Sequence, residues 1–74
     1  NDINITAGDG KYTLFAVYPG LSFKKAAAQL KKLGWKQVKK QSDTYFYLND
    51  DYLCRAVSLV KKGANVAAVR YFVP

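Results

Sequence analysis

Histidine, methionine and glutamate do not occur in this 74-residue chain, and cysteine and tryptophan occur once each. Without an imidazole there is no general base or pH switch that titrates near neutrality, and Cys54 has no second thiol for an intramolecular disulfide. A structural zinc site, which takes several Cys and His ligands, has nothing to grip. The absence of Glu removes the usual Glu-to-Lys pairs within helices and leaves the lysines to solvent or a partner. No apolar run approaches the ~18 residues needed to span a bilayer. The first residues lack the charged-then-hydrophobic pattern of a secretory signal. The missing initiating Met leaves open that this is a mature or excised part of a longer protein, and a single thiol does not fix the compartment.

What the chain does have is apolar and aromatic side chains in quantity, 50% and 15% of residues. That is too much for a disordered segment, so the composition predicts one folded domain of two layers around a thin core. The formal net charge is +7, and it is unevenly placed. Between Asp9 and Asp43 there is no acidic residue, while Lys11, Lys24, Lys25, Lys31, Lys32, Lys36, Lys39 and Lys40 all fall in that interval.

Residues 1–10 are polar and turn-rich and read as a flexible tail, although the alternation of Ile3 and Ile5 allows a short edge strand. The domain proper is expected over residues 11–74. Residues 11–18 are β-branched and aromatic up to Pro19-Gly20 and predict a strand and a turn. Ser22 is a suitable N-cap, and Phe23, Ala26, Ala27, Leu30 and Leu33 share one face of a helix. Gly34 supplies a left-handed stop, with Trp35 placed to fold back on Leu30. Residues 35–41 and 44–48 predict two strands joined at Ser42-Asp43, with Tyr45 and Tyr47 on one side and Thr44, Phe46 and Leu48 on the other.

The stretch 49–63 has two readings. As a helix it has Asn49 as cap, Asp50 and Asp51 in the first turn, Leu53, Ala56, Val57 and Val60 on one face, and Lys61, Lys62 and Gly63 at the end. As a strand, residues 52–60 form a hairpin with the last segment across Lys62-Gly63-Ala64-Asn65. The complete set of caps and dipole-compatible charges favours the helix. Residues 64–73 close the chain as a strand. The predicted fold is therefore α+β, in the order β-α-β-β-α-β, with two helices on one face of a three- to four-stranded sheet. A β-α-β-β-β-β meander with one helix is the alternative.

No residue set makes an active site. Asp50 and Asp51 are neighbours that point about 100° apart on a helix, whereas catalytic carboxylates must converge. Cys54 has Leu53 and Arg55 beside it and no base, so it reads as a small apolar residue. Asp2, Asn4 and Thr6 have calcium-loop spacing but lack the Gly at the sixth position and the acid at the twelfth. Asn4-Ile5-Thr6 matches the glycosylation triplet, which matters only in a secreted eukaryotic protein. Gly8-Asp9-Gly10 and Pro19-Gly20 are turns without phosphate-loop spacing. The sequence thus predicts no catalytic, metal or cofactor site.

The partner signal is the basic segment. Lys24, Lys25, Lys31, Lys32, Lys36, Lys39 and Lys40 form a one-sided positive field suited to an acidic protein face or to phosphates, and Tyr45 and Tyr47 are the aromatic candidates beside it. The helix from Leu21-Ser22-Phe23-Lys24-Lys25-Ala26-Ala27 through Leu30 to Gly34-Trp35 resembles the first helix of the C-terminal domain of the toxin-coregulated pilus biosynthesis protein Q family. More distantly it is similar to the short N-terminal domain of secretins and TonB-dependent receptors. On that resemblance Tyr47-Leu48 leads into a second helix over residues 49–62, and Val69-Arg70-Tyr71-Phe72-Val73 is the last strand. It implies a non-catalytic cell-envelope docking module in pilus or secretin assembly, placed in the periplasm, and it carries over no catalytic residue.

The expectation is a protein-interaction module, with the sheet edge or the Tyr45/Tyr47 side as contact and the lysines steering an acidic partner. The other reading is a small nucleic-acid-binding domain. Ten lysines against two arginines make its contacts largely nonspecific, because Arg is the usual reader of base edges.

Overall fold

A computed structural model describes residues 2–5, 14–50 and 56–72, the first four and Leu14 by their backbone alone. Strands β1 (Asp2–Ile5), β2 (Lys36–Gln41), β3 (Thr44–Leu48), β4 (Ala56–Lys62) and β5 (Asn65–Phe72) form one antiparallel sheet, and the helix α1 (Phe23–Lys32) lies between β1 and β2 in sequence. The spatial order is β1-β5-β4-β3-β2, so every neighbour pair but β1-β5 is a consecutive hairpin partner.

This overturns the two-helix β-α-β-β-α-β expectation. Within 49–63, the described residues from Ala56 to Lys62 are a central strand paired on both sides, with Tyr47↔Val57↔Tyr71 and Tyr45↔Leu59↔Val69 as cross-strand rows. A helix there would have left β3 and β5 each with an unpaired edge. The sequence Ala-Val-Ser-Leu-Val also fits a period of two, with Val57 and Leu59 on the helix-covered side. Pairing on both edges outweighs helix caps worth about 1 kcal/mol each. The turn into β5 is Gly63-Ala64, with Gly63 at φ 61°, a backbone region open to glycine at little cost in a two-residue hairpin loop. The one-helix alternative matches in outline, but its first strand is misplaced.

That first strand, expected over residues 11–18, is also corrected where the chain is described. Leu14–Ala16 is a single 3-10 turn in which Phe15 and Ala16 take φ 63° and φ 58°. Two consecutive left-handed residues cost on the order of 1 kcal/mol or more each and end any extended run. What offsets them is Phe15, whose ring meets Trp35 edge-on at 5.1 Å and Tyr71 at 6.0 Å, and Val17, which is fully buried. Pairing with the sheet passes instead to residues 20–23: Gly20 N–H donates to the Val66 carbonyl and Val66 N–H to the Leu21 carbonyl, both at 2.8 Å.

Helix α1 turns Ala26 and Leu30 into the core and Lys24, Lys25, Lys31 and Lys32 to solvent. Ser22 makes no side-chain cap bond; the Phe23 N–H is satisfied by the Ala64 carbonyl at 2.8 Å, from the β4-β5 turn. The stop is as the sequence predicts. Gly34 sits at φ 91°, its N–H donates to Lys31 O at 3.0 Å, and Trp35 N–H donates to Leu30 O at 2.9 Å, the paired bonds of a Schellman end. Asn49, expected to cap a second helix, serves α1: its Nδ2 donates to the Leu33 carbonyl at 3.0 Å from a buried position at the end of β3.

The core is one cluster, made of Val17, Ala26, Leu30, Trp35, Tyr47, Val57, Leu59, Val66, Val69 and Tyr71. Burying each of its Leu and Val side chains contributes roughly 1.5–3 kcal/mol. Val66 and Val69 are three apart yet both buried, because the register shift opposite Val60/Lys61 inserts one residue into β5.

The helix stop generates a pair of predictions. A Cβ at residue 34 would stand 3.3 Å from Asn49 Nδ2 in a left-handed backbone, so Gly34→Ala is expected to cost about 1–2 kcal/mol. Asn49→Ala should cost about 1 kcal/mol by leaving the Leu33 carbonyl without that donor. Urea unfolding measures both, and unchanged midpoints would refute the clasp.

Candidate binding surface

Period-two geometry gives the sheet two different sides. Tyr47, Val57, Leu59, Val69 and Tyr71 face α1 and are buried. The other side has no helix over it among the described residues. Its rows, read across β3, β4 and β5, are Thr44↔Val60↔Ala68, Phe46↔Ser58↔Arg70 and Leu48↔Ala56↔Phe72.

The sequence-predicted site divides between these sides. Tyr47 is only 5% exposed and belongs to the core, while Tyr45 is half-buried with its ring 4.5 Å from that of Phe23. Neither tyrosine stands on the uncovered side. Lys24 and Lys25 are exposed in the first turn of α1, where they oppose the helix dipole, and Lys31 and Lys32 are exposed in the last turn, where they complement it.

Lys36, Lys39 and Lys40 lie on β2, whose six residues are all exposed. A bulge at Val38 separates them: Lys36 registers with Leu48 and Lys39 with Phe46 on the uncovered side, while Lys40 registers with Tyr45 on the helix side. Lys40 Nζ accordingly lies 5.2 Å from the Tyr45 ring centre and Lys39 Nζ 5.7 Å from that of Phe46. Seven lysines that are neighbours in sequence therefore occupy the helix surface, the sheet edge and both sides of the sheet.

The uncovered side holds residues the sequence reading left out. Phe46 and Phe72 are half-buried phenyl rings, each with a cation over it, Lys39 for the first and the Arg70 guanidinium at 5.7 Å for the second. To one side of this pair a hollow of about 370 Å³ is lined by Thr44, Phe46, Ser58, Val60, Ala68 and Arg70, with Ser58 buried at its floor and Phe72 outside it, one alternation beyond Arg70. The aliphatic Leu48, 47% exposed, and Val38, 55% exposed, extend this side toward the β2 edge. The described acids Asp43 and Asp50 stand in turns at the two ends of β3, and Asp2 occupies the β1 position opposite Phe72 at the far edge. The signal was present in sequence as the alternation that set Phe46 against Tyr45 and Tyr47. What it lacked was the side on which α1 lands.

A second hollow, of about 450 Å³, opens under the C-terminal end of α1, with core side chains Trp35 and Tyr47 as walls and Lys31 and Lys36 among its lining. Among the described residues no group of three or more His, Cys, Asp or Glu side chains gathers at one point, and no helix is long and apolar enough to cross a membrane. Cys54, Asp51 and Arg55 lie outside the described residues.

Burial pushes the Tyr47 phenol above the ordinary tyrosine range, and the neighbouring Tyr45 hydroxyl adds to the effect. A proton held more tightly in the folded state than in the unfolded one makes a contribution that is complete below the unfolded pKa. That contribution is lost as pH rises past about 10. Alkaline titration followed by phenolate absorbance should find Tyr47 among the last of the six tyrosines to ionise, with stability falling through the same interval. A Tyr47→Phe variant that leaves the late-ionising component in place would contradict this. Comparison with protein-family models, curated proteins and solved structures finds no match to this chain.

Proposed function

We propose that this chain is a non-catalytic binding module whose contact surface is the helix-free side of its sheet and whose partner is anionic. The observation that carries the reading is the Phe46, Arg70 and Phe72 side of the sheet, where each ring lies under a cation and where Phe46 and Arg70 border a hollow lined by small side chains. Apolar rings at the centre supply desolvation on contact, and cations around them select negative charge. Lysines elsewhere on the chain add a long-range attraction that raises the encounter rate without choosing the site.

A bulged edge strand with three lysines among six residues resists pairing with another strand, which moves the contact from the edge to the sheet side. An acidic protein face and a nucleic-acid backbone both have the required charge. The cell-envelope docking role implied by the pilus-family resemblance is a narrower form of the first. It takes a second helix over residues 49–62, where Ala56–Lys62 is strand, so it adds no weight to the reading.

The test is a titration of isotope-labelled protein with polyglutamate and with heparin, followed by amide and aromatic resonances at low salt. The reading expects the largest shifts at Lys39, Phe46, Ser58, Arg70 and Phe72, lost when Lys39→Glu is introduced. Shifts confined to Lys24, Lys25, Lys31 and Lys32 on α1 would contradict it.

A further inference from the structure

Resting on that reading, we infer that the helix-free side of the sheet takes a single-stranded nucleic acid, with Phe46 and Phe72 as stacking platforms and Lys36 and Lys39 on the phosphates. Phe46 lies on β3 and Phe72 on β5, two strand spacings apart, about 9–10 Å across the sheet, and Phe72 is one alternation further along its strand than the Phe46 row. Two bases, each about 3.4 Å thick, can lie on these rings without touching one another. A duplex, whose bases are already stacked, offers neither ring a face.

The cations suit the same ligand. Lys39 is exposed and flexible; with its ammonium 5.7 Å from the Phe46 ring centre, it can move aside for a base and remain beside that base's phosphate. Lys36 lies on the same side of β2 in the next row, that of Leu48 and Phe72, one alternation from Lys39 across the bulge. The Arg70 guanidinium over Phe72 is itself a flat surface on which a base can stack. Thr44, half-buried in the hollow beside Phe46, places a hydroxyl on the same side of the sheet.

The lysines of this side lie at the β2 edge, where Lys36 registers with Leu48 and Lys39 with Phe46. An acidic protein segment would use the same lysines but has no use for two separated ring faces. One arginine among the described cations provides little base-edge readout, so binding tolerates sequence.

The experiment measures fluorescence anisotropy of a labelled twelve-nucleotide oligo(dT), a mixed-sequence single strand, the corresponding duplex and a polyglutamate peptide, against the full chain. The inference expects both single strands to bind at least tenfold more tightly than the duplex. Phe46→Leu, which keeps an apolar side chain in place, should weaken single-strand binding about tenfold. Lys39→Gln, an exposed change that leaves the fold alone, should lower the slope of log affinity against log salt by about one unit. Equal binding of single strand and duplex, or full affinity in Phe46→Leu, overturns the stacking assignment. If polyglutamate binds and loses affinity in Lys39→Gln while the oligonucleotides do not bind, the nucleic-acid inference falls and the binding-surface reading stands. If none of the probes binds, both fall.

Discussion

The one helix among the described residues cannot cover both sides of the five-stranded sheet, and the character of the described structure follows from that limit. All the core side chains of the described strands are on the side that α1 covers, together with the turn that brings in Phe15 and Val17. The other side is left to half-buried rings, short hydroxyl and alanine side chains, and cations. A small chain has little interior to spare, so any surface it uses for binding must be an outer one. Here that surface is flat, rigidly held by ladder hydrogen bonds, and chemically unlike the side behind it.

Placement of α1 is held at both ends by groups from the sheet layer, a backbone carbonyl at the start and a side-chain amide at the stop. The Ala64 carbonyl receives the first N–H of the helix from the β4-β5 turn, and Asn49 donates to the Leu33 carbonyl from the end of β3. Trp35 closes the helix through its own N–H and then packs in the core against Phe15. The strained backbone at Phe15 and Ala16 belongs to the same arrangement. It turns the chain so that an aromatic plug, rather than a sixth strand, fills the space beside Trp35 and Tyr71.

Local signals with a single physical meaning were legible in the sequence. The Gly34-Trp35 stop, the face of Ala26 and Leu30, the Ser42-Asp43 turn and the strand 44–48 all appear where the residues place them. Signals that depend on a distant partner were not. Helix caps at Asn49 and Lys61-Lys62 were genuine local preferences, but β4 is flanked by two strands whose pairing no local pattern reveals. Residues 14–17 look extended because Phe15 and Val17 favour strands, and only the distant Trp35 and Tyr71 make the turn at 14–16 worthwhile. For the candidate site, alternation separated Phe46 from Tyr45 and Tyr47 without saying which set α1 would cover. The basic run was visible, but the bulge at Val38 and the turn between α1 and β2 distribute it over several surfaces.

The central claim is that the Phe46 and Phe72 side is the one open to a partner. Adding a neutral paramagnetic cosolute to the free protein and recording aromatic side-chain resonances tests this most directly. The account predicts strong broadening of the Phe46 and Phe72 ring signals, with Tyr47 and Tyr71 spared. Protected phenylalanines beside a broadened Tyr47 would mean that the sheet is covered on the opposite side, and the binding surface assigned to it would be wrong.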